Sequence, residues 1–260
     1  MNVKIAIAAH KKYQMPDDSI YLPMHVGATG KEGIGFERDD SGDNISEKNP
    51  YYCELTGVYW LWKNVKADYY GLTHYRRHFS AKKGFKPGKD KFKYVLNAEQ
   101  LEKLLRNNNI LVPKKRKYYI ENLYNHYAHT HYAEHLDITR EIIKEKCPEY
   151  VSAFDVVMKR TWAHMFNMFI MRREYYNEYC EWLFSILFEL ENRTDPTKYN
   201  AFQARYFGRV SELLFDVWLL KNQYEYKEIP TINMEKLDWG RKIRSFIRAK
   251  FSGKKYDSSF

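Results

Sequence analysis

Apolar and polar positions along the chain mark out short inner strands separated by helices. Val3 to Ala9 reads as the opening strand, with Val and Ile set against Lys and Ala before a run of small residues. Asp68 to Thr73 is a second, with aromatic and β-branched residues around one glycine, and Ile110-Leu111-Val112 is a third. Trp162 to Met171 alternates around Ala163-His164-Met165-Phe166-Asn167-Met168-Phe169, which predicts a buried strand with two polar intruders. Buried polar groups need partners, so His164 and Asn167 either bond within the core or face a ligand. Ile229 to Asn233 reads as a last strand.

The 3.6-residue period predicts the helices. Asn49 as N-cap and Pro50 in the first helical position open one that runs to Lys63, with Leu55, Val58, Tyr59 and Trp62 on a single stripe. Glu54 lies off that stripe, either exposed or a hydroxyl acceptor. Asn97 and Gln100 make a capping box ahead of Leu101, Leu104 and Leu105. Asp137 to Lys146 is a charged helix, and Glu178 to Asn192 carries Tyr179, Trp182, Leu183, Ile186, Leu187 and Leu190 at a clean helical period. Arg209 to Leu219 buries Val210, Leu213, Leu214 and Val217, leaving Glu212 and Asp216 one turn apart on another face. Glu212 is then either an exposed glutamate or, in a first turn aimed at a cleft, a general base.

Residues 14–49 read as loop, with five glycines and the acidic residues Asp39, Asp40 and Asp43. Their spacing matches neither GxGxxG nor a P-loop. Asp39 and Asp43 could hold a ribose or a metal, or simply be solvated. Ser80 to Lys93, rich in Lys and Gly, reads as a surface excursion.

Candidate chemistry concentrates in Tyr69-Tyr70-Gly71-Leu72-Thr73-His74-Tyr75-Arg76-Arg77-His78-Phe79. Its polar cluster falls at or just past the C-terminal end of a strand, the edge where open α/β sheets hold ligands. Adjacent guanidiniums give forked, charge-assisted hydrogen bonds that suit a diphosphate, with a solvated turn as the plain alternative. Pro113-Lys114-Lys115-Arg116-Lys117 again puts cations at a strand's C-terminal end, and two such edges favour one anionic ligand. His10 and Tyr13 follow the first strand, as nucleotide contacts or as an ordinary polar loop. Tyr118 to His135 holds His126, His129, His131 and His135 among tyrosines, either a sugar-facing aromatic wall or a helical surface. Within it His131-Tyr132-Ala133-Glu134-His135 matches the H-x-x-E-H zinc-protease pattern, but no carboxylate ligand follows at a diagnostic spacing, so the hydrolase is the minor reading.

Composition narrows the classes. With 44% hydrophobic residues, including 23 Tyr, 15 Phe and 6 Trp, the chain has enough apolar surface for a sizeable core. A net charge of +10 favours phosphorylated ligands, nucleic acid or an anionic membrane surface. Seven Lys or Arg lie between Arg241 and Lys255, and Ile243, Phe246, Ile247 and Phe251 share one face of Trp239 to Tyr256, a basic amphipathic tail suited to anionic lipid. Three separated cysteines argue against a disulfide framework or zinc ribbon and for a cytoplasmic setting. Asn2 to Ala9 is too short for a secretory signal, and no window approaches 18 apolar residues, so any membrane contact is peripheral. A basic, aromatic-rich nucleic-acid-binding protein without catalysis is the rival class, and the rings on buried helical stripes weigh against it.

Val3 to His10, Asn49 to Asn64 (NPYYCELTGVYWLWKN), Tyr70 to Phe79 (YGLTHYRRHF), Ile110 to Lys114, His164 to Asn167 and Arg209 to Leu214 together resemble a family of bacterial capsular and exopolysaccharide glycosyltransferases long grouped as a domain of unknown function. The likeness runs to about residue 235, and GLTHYRRHF is its most specific run. It implies an α/β, GT-A-like single-domain nucleotide-sugar transferase fold with a mostly parallel central sheet flanked by helices. The domain would span 1–238, with the tail at 239–260. The implied reaction moves a sugar, galactofuranose or galactose as the leading choices, from a UDP-sugar to a lipid-linked glycan at the inner face of the cell membrane. His10, Tyr13, Asp43, His74, Tyr75, Arg76, Arg77 and Lys114 are the expected donor residues, and His126, His164 and Asn167 the expected acceptor residues. Glu212 matches the base of an inverting displacement. GT-A enzymes usually hold a divalent metal, Mn or Mg, with an Asp-x-Asp that is missing from this strand edge. Arg76 and Arg77, helped by Lys114, would then neutralise the leaving diphosphate.

Overall fold

A computed structural model describes residues 1–81, 90–235 and 255. In chain order the strands are β1 (Val3–Ala9), β2 (Tyr21–His25), β3 (Glu37–Arg38), β4 (Tyr69–His74), β5 (Arg77–Phe79), β6 (Ile110–Pro113), β7 (Arg116–Lys117), β8 (Trp162–Ala163), β9 (Phe169–Arg172), β10 (Lys227–Ile229) and β11 (Thr231–Asn233). The helices are α1 (Asn49–Tyr52), α2 (Leu55–Asn64), α3 (Ala98–Leu105), α4 (Leu123–Thr130), α5 (Glu134–Lys146), α6 (Val151–Lys159), α7 (Arg173–Arg193) and α8 (Tyr206–Lys221). Contacts divide the chain into two compact units. The first is Met1–Lys114, Phe166–Glu181 and Glu225–Glu235, and the second is Lys115–Met165, Trp182–Tyr224 and Lys236–Phe260.

The first unit holds one sheet in the order β10-β6-β9-β4-β1-β2-β3. Neighbours run parallel except at β9, which is antiparallel to both β4 and β6. Buried on both faces, β1 and β4 read as near-continuous apolar runs, as central parallel strands do. Val3, Ile5, Ile7 and Ala9 of β1 share a core with Leu101 and Leu105 of α3. Gly71 lets β4 pack closely between β1 and β9: a Cβ there would stand 3.0 Å from Ile170 Cγ1 and the Phe169 carbonyl and 3.1 Å from Ile5 Cγ1, so these neighbours would have to give. The capping box forms as expected, with Gln100 N donating to Asn97 Oδ1 at 2.9 Å and Asn97 N to Gln100 Oε1 at 3.3 Å.

Several expectations change. Residues 14–49 are not all loop, because Tyr21–His25 pairs in parallel with Ile5–Ala9 as β2. Pro23 hides this strand, yet one missing N–H is tolerated beside a neighbour as short as β3. The helix expected from Asn49 to Lys63 is two helices, broken at Cys53. Asn49 does not cap it: its amide donates to the Cys53 carbonyl at 2.7 Å and Thr56 Oγ1 at 3.2 Å. On α2, Trp60 and Leu61 join Leu55 and Val58 in the core, while Tyr59 and Trp62 are half-buried. The strand expected from Trp162 to Met171 exists only at its ends, as β8 and β9, since Phe166 and Asn167 have φ of 79° and 51°.

The second unit packs helices beside the short antiparallel pair β7-β8. Leu183, Ile186, Leu187 and Leu190 of α7 are fully buried as their spacing requires, and Tyr150 stacks on Trp182 with centroids 4.7 Å apart. The pattern reading omits α6, although Ala153, Phe154, Val157 and Met158 carry its period and are buried. No helix among the described residues is long and apolar enough to cross a membrane. Part of the surface excursion, 82–89, and all of the tail 239–260 except Lys255 lie outside the described residues. Lys255 Nζ donates to the Ala128 carbonyl of α4.

Candidate functional site

The run from His74 to Phe79 folds as a tight hairpin. His74 ends β4 and pairs with Arg77, the first residue of β5, so Tyr75 and Arg76 form the turn. The polar cluster therefore straddles the C-terminal edge of a central strand, and β5 is held from its other side by β11. His74 Nε2 lies 2.6 Å from the Phe166 carbonyl. A carbonyl only accepts, so Nε2 carries the proton. Burial pushes the His74 pKa down, opposed by the nearby Glu54 carboxylate and reinforced by Arg77 and Arg76, which keeps the imidazole neutral.

The Arg77 guanidinium carbon lies over the Phe166 ring, 3.5 Å from its centroid, and Arg77 Nε donates to Asn233 Oδ1 at 2.8 Å. Arg76, at the turn, is half-exposed, 5.2 Å from the Tyr75 ring and 3.6 Å from Glu235 Oε2. An ion pair that exposed contributes little and exchanges readily for a ligand. Below the cations is an aromatic floor: Tyr13 stacks on Tyr75 at 3.8 Å and the exposed His10 meets it edge-on at 5.3 Å. Burial, with Tyr13 beside it, pushes the Tyr75 phenol well above its usual range. The structure thus brings together His10, Tyr13, His74, Tyr75, Arg76 and Arg77.

Two strained segments add residues to this edge. Among described non-glycine residues, left-handed φ occurs at Cys53, Phe166, Asn167 and Gln223, and the first three meet here. Such conformations cost roughly 1–3 kcal/mol each and persist where the surroundings enforce them. Cys53, at φ 54° and ψ −132°, turns the chain between α1 and α2 and sets Glu54 at the start of α2. Asn167, expected on the acceptor side, donates from Nδ2 to Glu54 Oε1 at 2.7 Å. Sequence reasoning left Glu54 as either exposed or a hydroxyl acceptor, and a continuous helix gave no sign that it would meet Asn167.

Other expected residues stand elsewhere. Lys114 follows β6 on the same sheet edge, but β9 intervenes between β6 and β4, an axis separation of about 10 Å at standard strand spacing. Asp43 is exposed beside the last turn of α2, accepting from Tyr59 Oη at 3.1 Å while its N–H donates to Asn64 Oδ1 at 3.2 Å. Since α2 leads straight into the start of β4, Asp43 is at the opposite end of the sheet from the hairpin. Asp39 is neither solvated nor a ribose ligand: fully buried, it accepts from Gly27 N, Ala28 N, Ser46 Oγ and Thr56 Oγ1 at 2.5 to 3.0 Å and ties the loop together. A pocket of about 380 Å³ is lined by Met1, Asp68, Tyr69, Arg172, Arg173 and Glu174. It too lies at the far edge, and its charges pair with one another, Arg173 with Asp68 and Arg172 with Glu174.

In the second unit, His164 is buried against α8. Its N–H donates to Asp216 Oδ2 at 2.8 Å and its Nδ1 to Oδ1 at 2.7 Å, with Arg160 3.9 Å from the same carboxylate. Asp216 is 1% exposed, so it does not share an outer face with the half-buried Glu212. Glu212 stands in the second turn of α8, which begins at Tyr206, and not in the first. His126 packs on Tyr118 at 4.4 Å and lies 3.8 Å from Glu121, which is 2.9 Å from His129. His131 and His135 do not share a helical face: His131 ends α4 in extended conformation and bonds Gln203 Oε1 at 2.8 Å, whereas His135 stacks on Tyr206 at 3.9 Å. A zinc motif of that spacing needs both on one helix.

Residues 4–223 match the family described as Domain of unknown function (DUF4422). The chain belongs to that family. A solved structure, "WbbM bifunctional glycosytransferase apo structure", is 35% identical, with a TM-score of 0.84 over 91% of this chain and 46% of that one. The present chain thus spans about half the length of the protein it matches. No curated protein matches. The DUF4422 chain has the expected fold, an α/β, GT-A-like architecture with a mostly parallel central sheet.

The hairpin of this DUF4422 member presents two guanidiniums, Arg76 and Arg77, at the sheet edge. Among the described residues, two carboxylates near the hairpin already have partners: Glu54 is held by Asn167 and Glu235 pairs with Arg76. Guanidiniums with two separately engaged carboxylates do not fit the oxygen-rich shell that Mg or Mn requires. Among the described residues no group of three His, Cys, Asp or Glu is arranged to hold a metal.

Proposed function

We propose that this chain is a glycosyltransferase that takes a sugar from a nucleoside diphosphate donor. The carrying observation is the hairpin, where Arg76 and Arg77 sit on an aromatic floor at the C-terminal edge of a central strand. The likeness to a bifunctional glycosyltransferase supports the reading. His10 and Tyr13 bound the nucleotide side, and the two guanidiniums take the charge that develops on the leaving diphosphate. The donor is a UDP-sugar, galactofuranose or galactose, and the acceptor is a lipid-linked glycan of the cell surface. The enzyme works at the cytoplasmic face of the membrane, held peripherally by its basic C-terminal tail.

A thermal-shift panel of nucleotide sugars tests this. A ligand at a hundred times its Kd stabilises the native state by about 2.7 kcal/mol, which is about 5 °C for a chain of this length. UDP and one or more UDP-sugars should produce that shift, and it should persist in a chelator. No shift with any nucleotide sugar sinks the transferase reading, whereas a shift lost in chelator and restored by manganese overturns the arginines as the charge-neutralising groups.

A further inference from the structure

Resting on the transferase reading, we propose that Glu54, and not Glu212, is the catalytic residue that takes the proton from the acceptor hydroxyl. Glu54 belongs to the same edge as the cationic hairpin. Asn167 Nδ2 holds its Oε1 at 2.7 Å, and among the described residues no hydrogen bond reaches Oε2. The segments flanking this pair, at Cys53 on one side and Phe166-Asn167 on the other, are both left-handed and therefore enforced by their surroundings. Asn49 anchors the first through the Cys53 carbonyl, and His74 anchors the second through the Phe166 carbonyl.

The neighbouring groups leave Glu54 as the proton acceptor. His74 has its Nε2 proton committed to Phe166 and is disfavoured as a cation by burial and both arginines. Arg77 packs on the same Phe166 whose carbonyl orients His74, and the next residue, Asn167, holds Glu54, so adjacent residues join the guanidinium and the carboxylate. In the step, the acceptor O–H bond breaks and its proton passes to Glu54 Oε2. The acceptor oxygen bonds the anomeric carbon, and the bond from that carbon to the diphosphate oxygen breaks, its electron pair leaving with the nucleotide between Arg76 and Arg77. Glu212 stands past the first turn of α8, the position from which a base role was expected of it.

The experiment compares Glu54→Gln with Glu212→Gln in the full chain, using the UDP-sugar that gives the largest thermal shift as donor and octyl β-galactoside as acceptor. We expect Glu54→Gln to lower kcat by about 10²- to 10⁴-fold with the UDP thermal shift unchanged, and Glu212→Gln to stay within about threefold of wild type. Added formate should restore part of the turnover of Glu54→Ala, which a structural or hydroxyl-positioning role would not allow. Near-normal turnover of Glu54→Gln overturns the proposal, as does a Glu54→Ala variant that binds UDP but ignores formate. Wild-type protein that transfers nothing from any UDP-sugar counts against the transferase reading itself.

Discussion

Two runs that mix histidine with tyrosine, Tyr70 to Phe79 and His126 to His135, have opposite fates. In the first, the backbone is committed to a ladder and a two-residue turn, so successive side chains are thrown to alternate sides of a sheet edge. Arg76 then stands at the tip, Arg77 folds over Phe166, and His74 reaches back to the same residue. In the second, helices bring each imidazole against a packing partner: Tyr118 for His126, Glu121 for His129, Gln203 for His131 and Tyr206 for His135. Burial and Arg209 push His135 down to about 3, so it is a neutral core group at any physiological pH. Both runs mix imidazole with tyrosine, and only the first adds arginine. What separates their histidines is whether the local element ends at an open edge or closes on its neighbours.

The sharpest break in this comparison is loss of charge at the hairpin. Arg76→Ala combined with Arg77→Ala should lower turnover by at least 10²- to 10³-fold, the scale of removing preorganised donors from a developing anion, and should abolish the UDP thermal shift. His131→Asn should leave turnover within about threefold while costing roughly 1–2 kcal/mol of stability through the lost Gln203 bond. Steady-state kinetics and urea denaturation on the two variants decide. Equal losses of turnover in both would erase the distinction between the runs.

His78 offers a second, smaller test, because it belongs to the hairpin yet behaves like the packed histidines. It is fully buried near the rings of Tyr21 and Phe92, and neither ring nitrogen makes a well-formed hydrogen bond among the described residues, although the Tyr75 backbone is near enough to oppose part of the burial effect. Burial first and His74 second push its pKa down to about 4. The unfolded chain therefore binds a proton near pH 6.5 that the native protein refuses until about pH 4. Stability is highest above that window and falls as pH drops through it, by on the order of 3 kcal/mol from this group alone. His78→Leu should flatten the loss between pH 7 and pH 4.5 by about 2 kcal/mol in urea titrations. An unchanged slope would mean that His78 is solvated or paired in the native state.

The same contrast explains what was legible in the sequence. Strands β1, β4 and β6, the capping box of α3 and the cores of α7 and α8 follow from period and composition, since burial on a regular element writes itself into spacing. The hairpin cations were legible too, as charge directly after an apolar strand. Glu54 was legible only as an open choice between exposed residue and hydroxyl acceptor, because its position depends on the left-handed Cys53, and no periodicity marks a cysteine forced out of helix. The pairing of His164 with Asp216 joins residues 52 apart, and only the folded chain reports it. Asn167 shows the middle case: its polarity in an apolar run flagged it, but its partner was hidden.

Asp43 gives the smallest effect and the most economical check on that lesson. By type and by its glycine-rich surroundings it was a donor candidate, yet its geometry ties it to Tyr59 and Asn64 at the far end of the sheet from the hairpin. Its interaction with the Tyr59 hydroxyl is exposed, so Asp43→Asn should change stability by less than about 0.5 kcal/mol. The Tyr59 phenol, raised first by burial and then by the Asp43 carboxylate, should titrate somewhat lower in the variant, as ultraviolet absorbance above pH 9 would follow. Affinity for UDP should not move, because Asp43 lies at the far end of the sheet from the proposed diphosphate site. A tenfold loss of UDP affinity in Asp43→Asn would place that loop at the nucleotide and require the chain between β2 and α1 to bind as well as to brace.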